Sequence, residues 1–273
     1  KRFDELMGWI KSWFNVLPLD DAIVQLRKQS LPARAAAITF DDGYADNFTI
    51  ALPILLKHKL SATFFIATGF LDGGRMWNDT IIESVRACSS ATLDLNPVSL
   101  AAYSVGSDHE KREAIAAIIS KVKYRSTIER VEITERIANL ANALPPSDLM
   151  MTTQQLRNMR EAGMLIGAHT VSHPILASID LAEARSEMAE SKIFLESLLG
   201  ERVSLFAYPN GKPGVDYLNE HVSLAQELGF DVALSTAKGS ARSSADLYQL
   251  PRFTPWDKAK VRFGGRLLQH LVT

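Results

Sequence analysis

The sequence predicts an α/β protein built on a parallel sheet, either open or closed into a barrel. Short apolar runs, such as Ala62 to Ala67 and Val203 to Ala207, read as strands buried on both faces, as parallel sheets require. These runs alternate with segments whose apolar residues recur at helical spacing. Several runs stop abruptly in polar clusters, at Asp41-Asp42-Gly43 and at His169-Thr170, and the C-terminal strand ends are where such folds carry their active sites.

In chain order, Leu6, Ile10, Trp13 and Phe14 mark a first helix, and Asp20 and Asp21 stand as N-cap candidates for a second through Ile23, Val24 and Leu26. Ala35 to Phe40 is the first buried strand. A helix through Leu52, Ile54, Leu55 and Leu56 leads to the strand at Ala62 to Ala67. From about 71 to 150 the alternation lapses into helical or loop-like sequence, with helices clearest over Ala114 to Val122 and Ile128 to Leu144 and a stop at Pro145-Pro146. A strand at Met164 to Ala168 resumes the pattern. It is followed by a helix from Leu181 to Leu199, capped by Asp180 and ended by Gly200. Then come a strand at Val203 to Ala207, a helix from about Val215 to Leu228, a strand at Phe230 to Ser235, and an amphipathic stretch from Val261 to Val272. The expectation is one domain over residues 1–273 with a helical insertion at about 71–150.

The 273 residues are 47% hydrophobic and 22% charged, enough to build a packed core and too apolar for a disordered chain. Thirty Lys+Arg against 31 Asp+Glu leave a formal net charge of −1, so no global field draws the chain to nucleic acid. Apolar stretches such as Ala114 to Ile119 fall far short of the ~18–20 residues that span a bilayer, and no integral membrane segment is expected. The single cysteine, Cys88, forms no internal disulfide and leaves the compartment open. No leader is legible before the first helix. Cytoplasm and cell envelope both remain open, and the start at Lys1 allows for a missing upstream segment.

Adjacent carboxylates at a strand end, Asp41 and Asp42, suit a division of labour between a proton acceptor and a metal ligand, although an Asp-Gly turn would look the same. His169 and His173 stand four apart, a spacing that presents two imidazoles to one zinc ion; a helix cap plus a surface histidine is the plainer alternative. The loop Tyr208-Pro209-Asn210-Gly211 is rigid enough to turn backbone N–H groups toward an oxyanion, or simply connects two elements. Arg252, in Leu250-Pro251-Arg252-Phe253, fits either an acidic group of the site or a structural ion pair.

Together the Thr-Phe-Asp-Asp-Gly segment, the His-Thr-x-x-His-Pro segment and the Tyr-Pro-x-Gly loop, in that order over about Ala35 to Phe253, resemble the polysaccharide deacetylase family with its NodB-homology domain. The resemblance implies a distorted (β/α) barrel of seven or eight strands. It implies that Asp41 is the general base, that Asp42, His169 and His173 hold Zn²⁺ (or Co²⁺ or Ni²⁺), and that the backbone N–H of Tyr208 stabilises the tetrahedral oxyanion. Tyr44, Asn47 and Pro209 beside these residues are the expected substrate contacts, with Trp77 of the insertion as a stacking face for a pyranose ring or an anchor of the insertion. The implied reaction is hydrolysis of N-acetyl, less often O-acetyl, groups on a glycan with release of acetate. The segment around Asp72 to Asp79 is similar to a subgroup found with bacterial exopolysaccharide production.

Two departures from the family pattern matter. Many members carry an arginine before the aromatic residue of the third motif, where this chain has Ala207; Arg252 is the candidate to replace it. Many also carry a late Leu-x-His histidine as general acid, and only His270 follows the last strand here. The metal triad names no substrate, which leaves open a hydrolase of non-sugar amides on the same fold, and the two departures leave open a glycan-binding module with impaired catalysis.

Overall fold

The computed structural model describes residues 1–254, 257 and 259–272. Two compact units make up the chain, one of residues 1–72 and 151–273, the other of residues 73–150. The second unit coincides with the block that interrupts the strand–helix alternation.

The first unit runs α1 (Arg2–Trp13), β1 (Asn15–Val16), α2 (Leu19–Arg27), β2 (Ala35–Ala36), β3 (Thr39–Phe40), α3 (Leu52–His58) and β4 (Thr63–Ile66). After the insertion, whose own elements are α4 (Trp77–Ala87), β5 (Thr92–Asp94), β6 (Ala102–Ser104), α5 (Asp108–Val122) and α6 (Thr127–Leu140), the first unit resumes. It continues with α7 (Thr153–Glu161), β7 (Leu165–Ala168), α8 (Leu181–Leu199), β8 (Leu205–Ala207), α9 (Asn219–Glu227), β9 (Val232–Leu234) and α10 (Lys260–Val272).

Strands β3, β4, β7, β8 and β9, in that order, form a curled, all-parallel half-barrel sheet. With the separate parallel pair β1–β2 they make seven parallel strands among the described residues, in two ladders and not in one closed barrel. Side chains alternate between its faces with the period of two that a pleated strand imposes. Phe64, Ile66, Phe206 and Ala233 enter one apolar cluster with α3, α7 and α8, while Phe65, Leu205, Ala207, Val232 and Leu234 enter another with Leu19, Ile23 and Leu250. Gly167 leaves room for a neighbouring ring: a Cβ there would meet the Phe65 ring at 2.5 Å and the Leu205 carbonyl at 3.0 Å. Phe40 pairs with Phe64, Ile66 with Ala168, and Ala168 with Phe206, so the residues after β3, β7 and β8 emerge along one edge.

Helix α8 has the limits its sequence predicts. The Asp180 side chain accepts the Glu183 N–H at 2.8 Å, and Gly200 closes the helix in the left-handed region at φ 67°. Four expectations are corrected. The apolar run Ala35 to Phe40 splits, because Ala35–Ala36 pairs with Asn15–Val16 whereas Thr39–Phe40 pairs with Thr63–Phe64. Helix α2 starts at Leu19 behind Pro18, which places Asp20 and Asp21 in its first turn, where the helix dipole favours them, and not at the cap. Helix α9 starts at Asn219, since Asp216 accepts the Lys212 N–H and Pro213 bridges to Tyr217, folding 212–217 into a loop. In the insertion, helix α4 and the β5–β6 hairpin replace what reads as loop, and α5 begins six residues before Ala114, at a Ser107/Glu110 capping box. No helix among the described residues is long and apolar enough to cross a membrane.

Candidate active site

Two segments that follow strand ends, one after β3 and one after β7, bring Asp42, His169 and His173 together. One ligand atom from each lies within 4.8 Å of the others. Asp42 Oδ1 is 3.4 Å from His169 Nε2 and 3.4 Å from His173 Nε2. That spacing is the edge of a tetrahedron whose centre is ~2.1 Å from each corner, the usual zinc–nitrogen and zinc–oxygen distance. His169 Nδ1 donates to the Ala207 carbonyl at 2.6 Å, which fixes the tautomer and leaves Nε2 as the free lone pair. The residues present therefore fit a divalent cation of zinc type.

Electrostatics support the same reading. Burial pushes the Asp42 carboxyl up, but the hydrogen bond with His169 and the charges of His173, His169 and Arg252 outweigh it and hold Asp42 below the usual carboxylate range. Burial pushes the His169 imidazole down, and its hydrogen bond to Asp42, the two aspartate charges and the Ala207 carbonyl reverse that shift. Without a cation these groups compensate one another's charge in a buried setting.

Backbone strain concentrates here. Asp42, Thr170 and His173 all adopt positive φ, at 77°, 66° and 52°. For a buried β-branched residue such as Thr170 that costs of order 1–3 kcal/mol, which surrounding bonds must offset. The Thr170 hydroxyl accepts the His173 N–H at 3.1 Å, and its carbonyl accepts the Thr68 N–H at 3.1 Å. Gly69 donates to Val171 O at 2.9 Å, an approach that a side chain at 69 would block, since its Cβ would fall 2.9 Å from the same oxygen.

Glu187, on α8, completes the clamp. Its Oε2 accepts the N–H groups of Val171 and Ser172, both at 2.8 Å, and its Oε1 accepts the Ser172 hydroxyl at 2.6 Å. Sequence reasoning missed it, although a signal exists: Glu187 lies on the stripe of Ala184, Met188, Ser191 and Leu195 that α8 buries. Glu187→Gln is expected to weaken the affinity of the cluster for a divalent cation by about 10- to 100-fold with the fold retained. Competition with a chelating dye, alongside a thermal melt, measures both.

Asp41 is held by a different side chain. Arg252 Nη1 donates to Asp41 Oδ1 at 2.7 Å, while Arg252 Nε is anchored on the Ser235 carbonyl at 3.1 Å. A parallel bridge between Leu234 and Leu250 positions this segment beside β9. Asp41 Oδ2 has no hydrogen-bond partner among the described residues.

The sequence pattern of the family described as "Polysaccharide deacetylase" matches residues 28–233. The chain belongs to the polysaccharide deacetylase family. YxkH of Bacillus subtilis (strain 168), which carries a polysaccharide deacetylase name, is 22% identical over 254 residues, covering 92% of this chain and 63% of that protein. The chain thus spans less than two thirds of that relative's length. The Streptococcus pyogenes deacetylase PplD, solved in complex with acetate, aligns with a TM-score of 0.63 at 21% identity over 99% of this chain and 85% of that one. IcaB from Ammonifex degensii aligns with a TM-score of 0.59 at 17% identity over 95% of this chain and 85% of that one. At these identities the two structures establish a shared fold.

Against the polysaccharide deacetylase pattern, the third motif needs correction. The Tyr208 N–H, expected at the oxyanion, instead donates to Leu234 O at 3.1 Å and extends the β8–β9 ladder. Its ring is fully buried, stacked on Tyr217 at 3.8 Å, with its hydroxyl donating to Tyr248 O, and burial pushes the phenol far above its ordinary pKa. Tyr208 is a core residue. Pro209 is buried as well and offers no open face to a sugar. Asn47 is buried at the start of a π-helical turn, and Tyr44 is half-buried next to Gly43. Trp77 opens α4, where its ring lies 5.4 Å from the Arg130 guanidinium and packs on the insertion's own core; these contacts anchor it within that unit. The remaining histidines are engaged elsewhere: His58 with Asp4, His109 with Glu113, and His221 and His270 as acceptors of the Leu218 and Gly239 N–H groups.

Proposed function

We propose that the protein removes acetyl groups, N-acetyl first among them, from a bacterial polysaccharide or oligosaccharide in a reaction that depends on a divalent cation, zinc by preference. The observation that carries this reading is the placement of Asp41, oriented by Arg252, next to the Asp42, His169 and His173 cluster. A deacetylase of the same fold was solved with acetate, the expected product.

Asp42, His169 and His173 would hold the cation. When bound, it lowers the pKa of water toward ~7 and polarises the acetyl carbonyl. Asp41 accepts the proton of the attacking water at Oδ2, since Oδ1 is occupied by Arg252. As the tetrahedral oxyanion develops it needs an N–H donor. Tyr208 is committed to the sheet and Pro209 has no N–H, so the next donor along the loop is Asn210, at φ 59°, whose N–H has no acceptor among the described residues. No histidine outside the cluster bonds to Asp41 among the described residues, so Asp41, once protonated, is the group that returns the proton to the departing amine.

Ala207 favours an impaired binding module only if nothing orients Asp41. Arg252 contacts Asp41 at 2.7 Å, which supports the catalytic reading over that alternative. The test is to incubate zinc-loaded protein with N-acetylglucosamine oligomers and with an O-acetylated glycan, counting acetate and new primary amine. Amine appearing mole for mole with acetate is expected. Acetate without amine would assign the enzyme to esters, and neither product from any glycan would reject the deacetylase reading.

A further inference from the structure

Arg252, which holds Asp41, also lines a cavity of about 920 Å³, within the range of ligand sites. Lys238, Arg252, Arg266 and His270 line it together with Thr236 and Phe253, and no aspartate or glutamate is among the described residues of its lining. In a chain whose net charge is only −1, this gathering of basic groups is local and pronounced.

Part of that charge is already compensated. Arg252 Nη1 is held by Asp41 and Arg266 Nε by Asp257 at 3.0 Å. The rest is available. Lys238 is exposed and has no ion-pair partner among the described residues, and Arg252 Nη2 has no acceptor there. His270 Nδ1 accepts the Gly239 N–H at 3.2 Å, so its neutral ring carries the proton on Nε2 and is a donor in either protonation state. Phe253, held edge-on by the His270 ring at 4.8 Å, adds an aromatic surface of the kind that packs on pyranose C–H groups. Donors, net positive charge and an aromatic wall next to the reacting centre describe a site for a sugar that carries an oxyanion.

We infer that this cavity is a subsite for an anionic sugar unit, so that the preferred substrate is an acidic glycan whose acetylated residue reaches Asp41 while a neighbouring carboxylate or phosphate occupies the cavity. The inference rests on the deacetylase reading for the position of the reacting residue.

The experiment compares kcat/KM for acetate release from three substrates of matched length: a neutral N-acetylglucosamine oligomer, N-acetylheparosan with a uronate carboxylate in every second ring, and an N-acetylglucosamine 1-phosphate polymer. At least one acidic chain is expected to be preferred over the neutral one, and the chain preferred tells whether the oxyanion is carboxylate or phosphate. Lys238→Glu should lower the acidic-to-neutral ratio about fivefold or more, the upper range for an exposed charge pair, and Lys238→Arg should restore it. The preference should also shrink as salt rises. Equal rates on all three substrates, or a ratio unmoved by Lys238→Glu, would overturn the inference. If no substrate releases acetate, the deacetylase reading falls separately and binding decides the subsite. Tighter binding of an acidic chain that Lys238→Glu abolishes keeps it, and equal binding ends it.

Discussion

Asp41→Asn is expected to lower the rate of acetate release by about 10²–10⁴, the range assigned to a positioned general base, with zinc content unchanged. Asn keeps the shape and the acceptor oxygen that Arg252 Nη1 holds at 2.7 Å, but it cannot take a proton. The Asp42, His169 and His173 cluster does not include the substituted side chain. A variant that loses activity together with zinc would instead mark Asp41 as part of the cation site. Metal analysis of the same sample used for kinetics separates these outcomes.

Arg252→Met should be the next most damaging change that leaves the cation ligands in place. Met fills much of the volume of the arginine stem, yet it frees Asp41 Oδ1 and gives up the hydrogen bond to Ser235 O. Misplacing a reacting group by about 1 Å costs on the order of 10²-fold in rate, so a fall of that size is expected in kcat with a smaller change in KM on a neutral oligomer. Arg252→Lys, which can reach the carboxylate with one donor, should recover part of it. If kcat is unchanged in Arg252→Met, the 2.7 Å ion pair is structural and another group orients Asp41.

Much of this site is legible in the sequence because its parts end strands. Asp41-Asp42 and His169 follow apolar runs that can only be buried strands, and a parallel sheet brings such ends to one edge. Helix α8 is legible to the residue because Asp180 and Gly200 are local signals that no tertiary contact overrides. What the sequence hides depends on partners distant in the chain. The break within Ala35 to Phe40 arises from two different neighbouring strands, and nothing in the run itself marks it. The Tyr208 N–H looks available in a Pro-Gly loop, but the register of β8 against β9 consumes it. The clamp from Glu187 spans 15 and 16 residues to the N–H groups it accepts, and shows in the sequence only as a charge on an apolar stripe. Arg252 reaches across 211 residues to Asp41, a distance at which residue type suggests a role and only the fold supplies the contact.

The two-stranded β5–β6 hairpin of the insertion illustrates the opposite limit. Its strands have three residues each, too short for a period of two to stand out, and Leu93 is the buried residue that ties the hairpin to the insertion's core. The capping boxes at Ser107 and Ser126, by contrast, are readable signals that set the true starts of α5 and α6.

The measurement that tests the central claim most directly is acetate release from an N-acetylated glycan by protein stripped with a chelator, dialysed, and then supplied with zinc to one equivalent, set against His169→Ala treated in the same way. The account predicts no release from the stripped protein, recovery on one equivalent of zinc, and no recovery in the variant. Release that persists after stripping, or that zinc restores equally in His169→Ala, would contradict it.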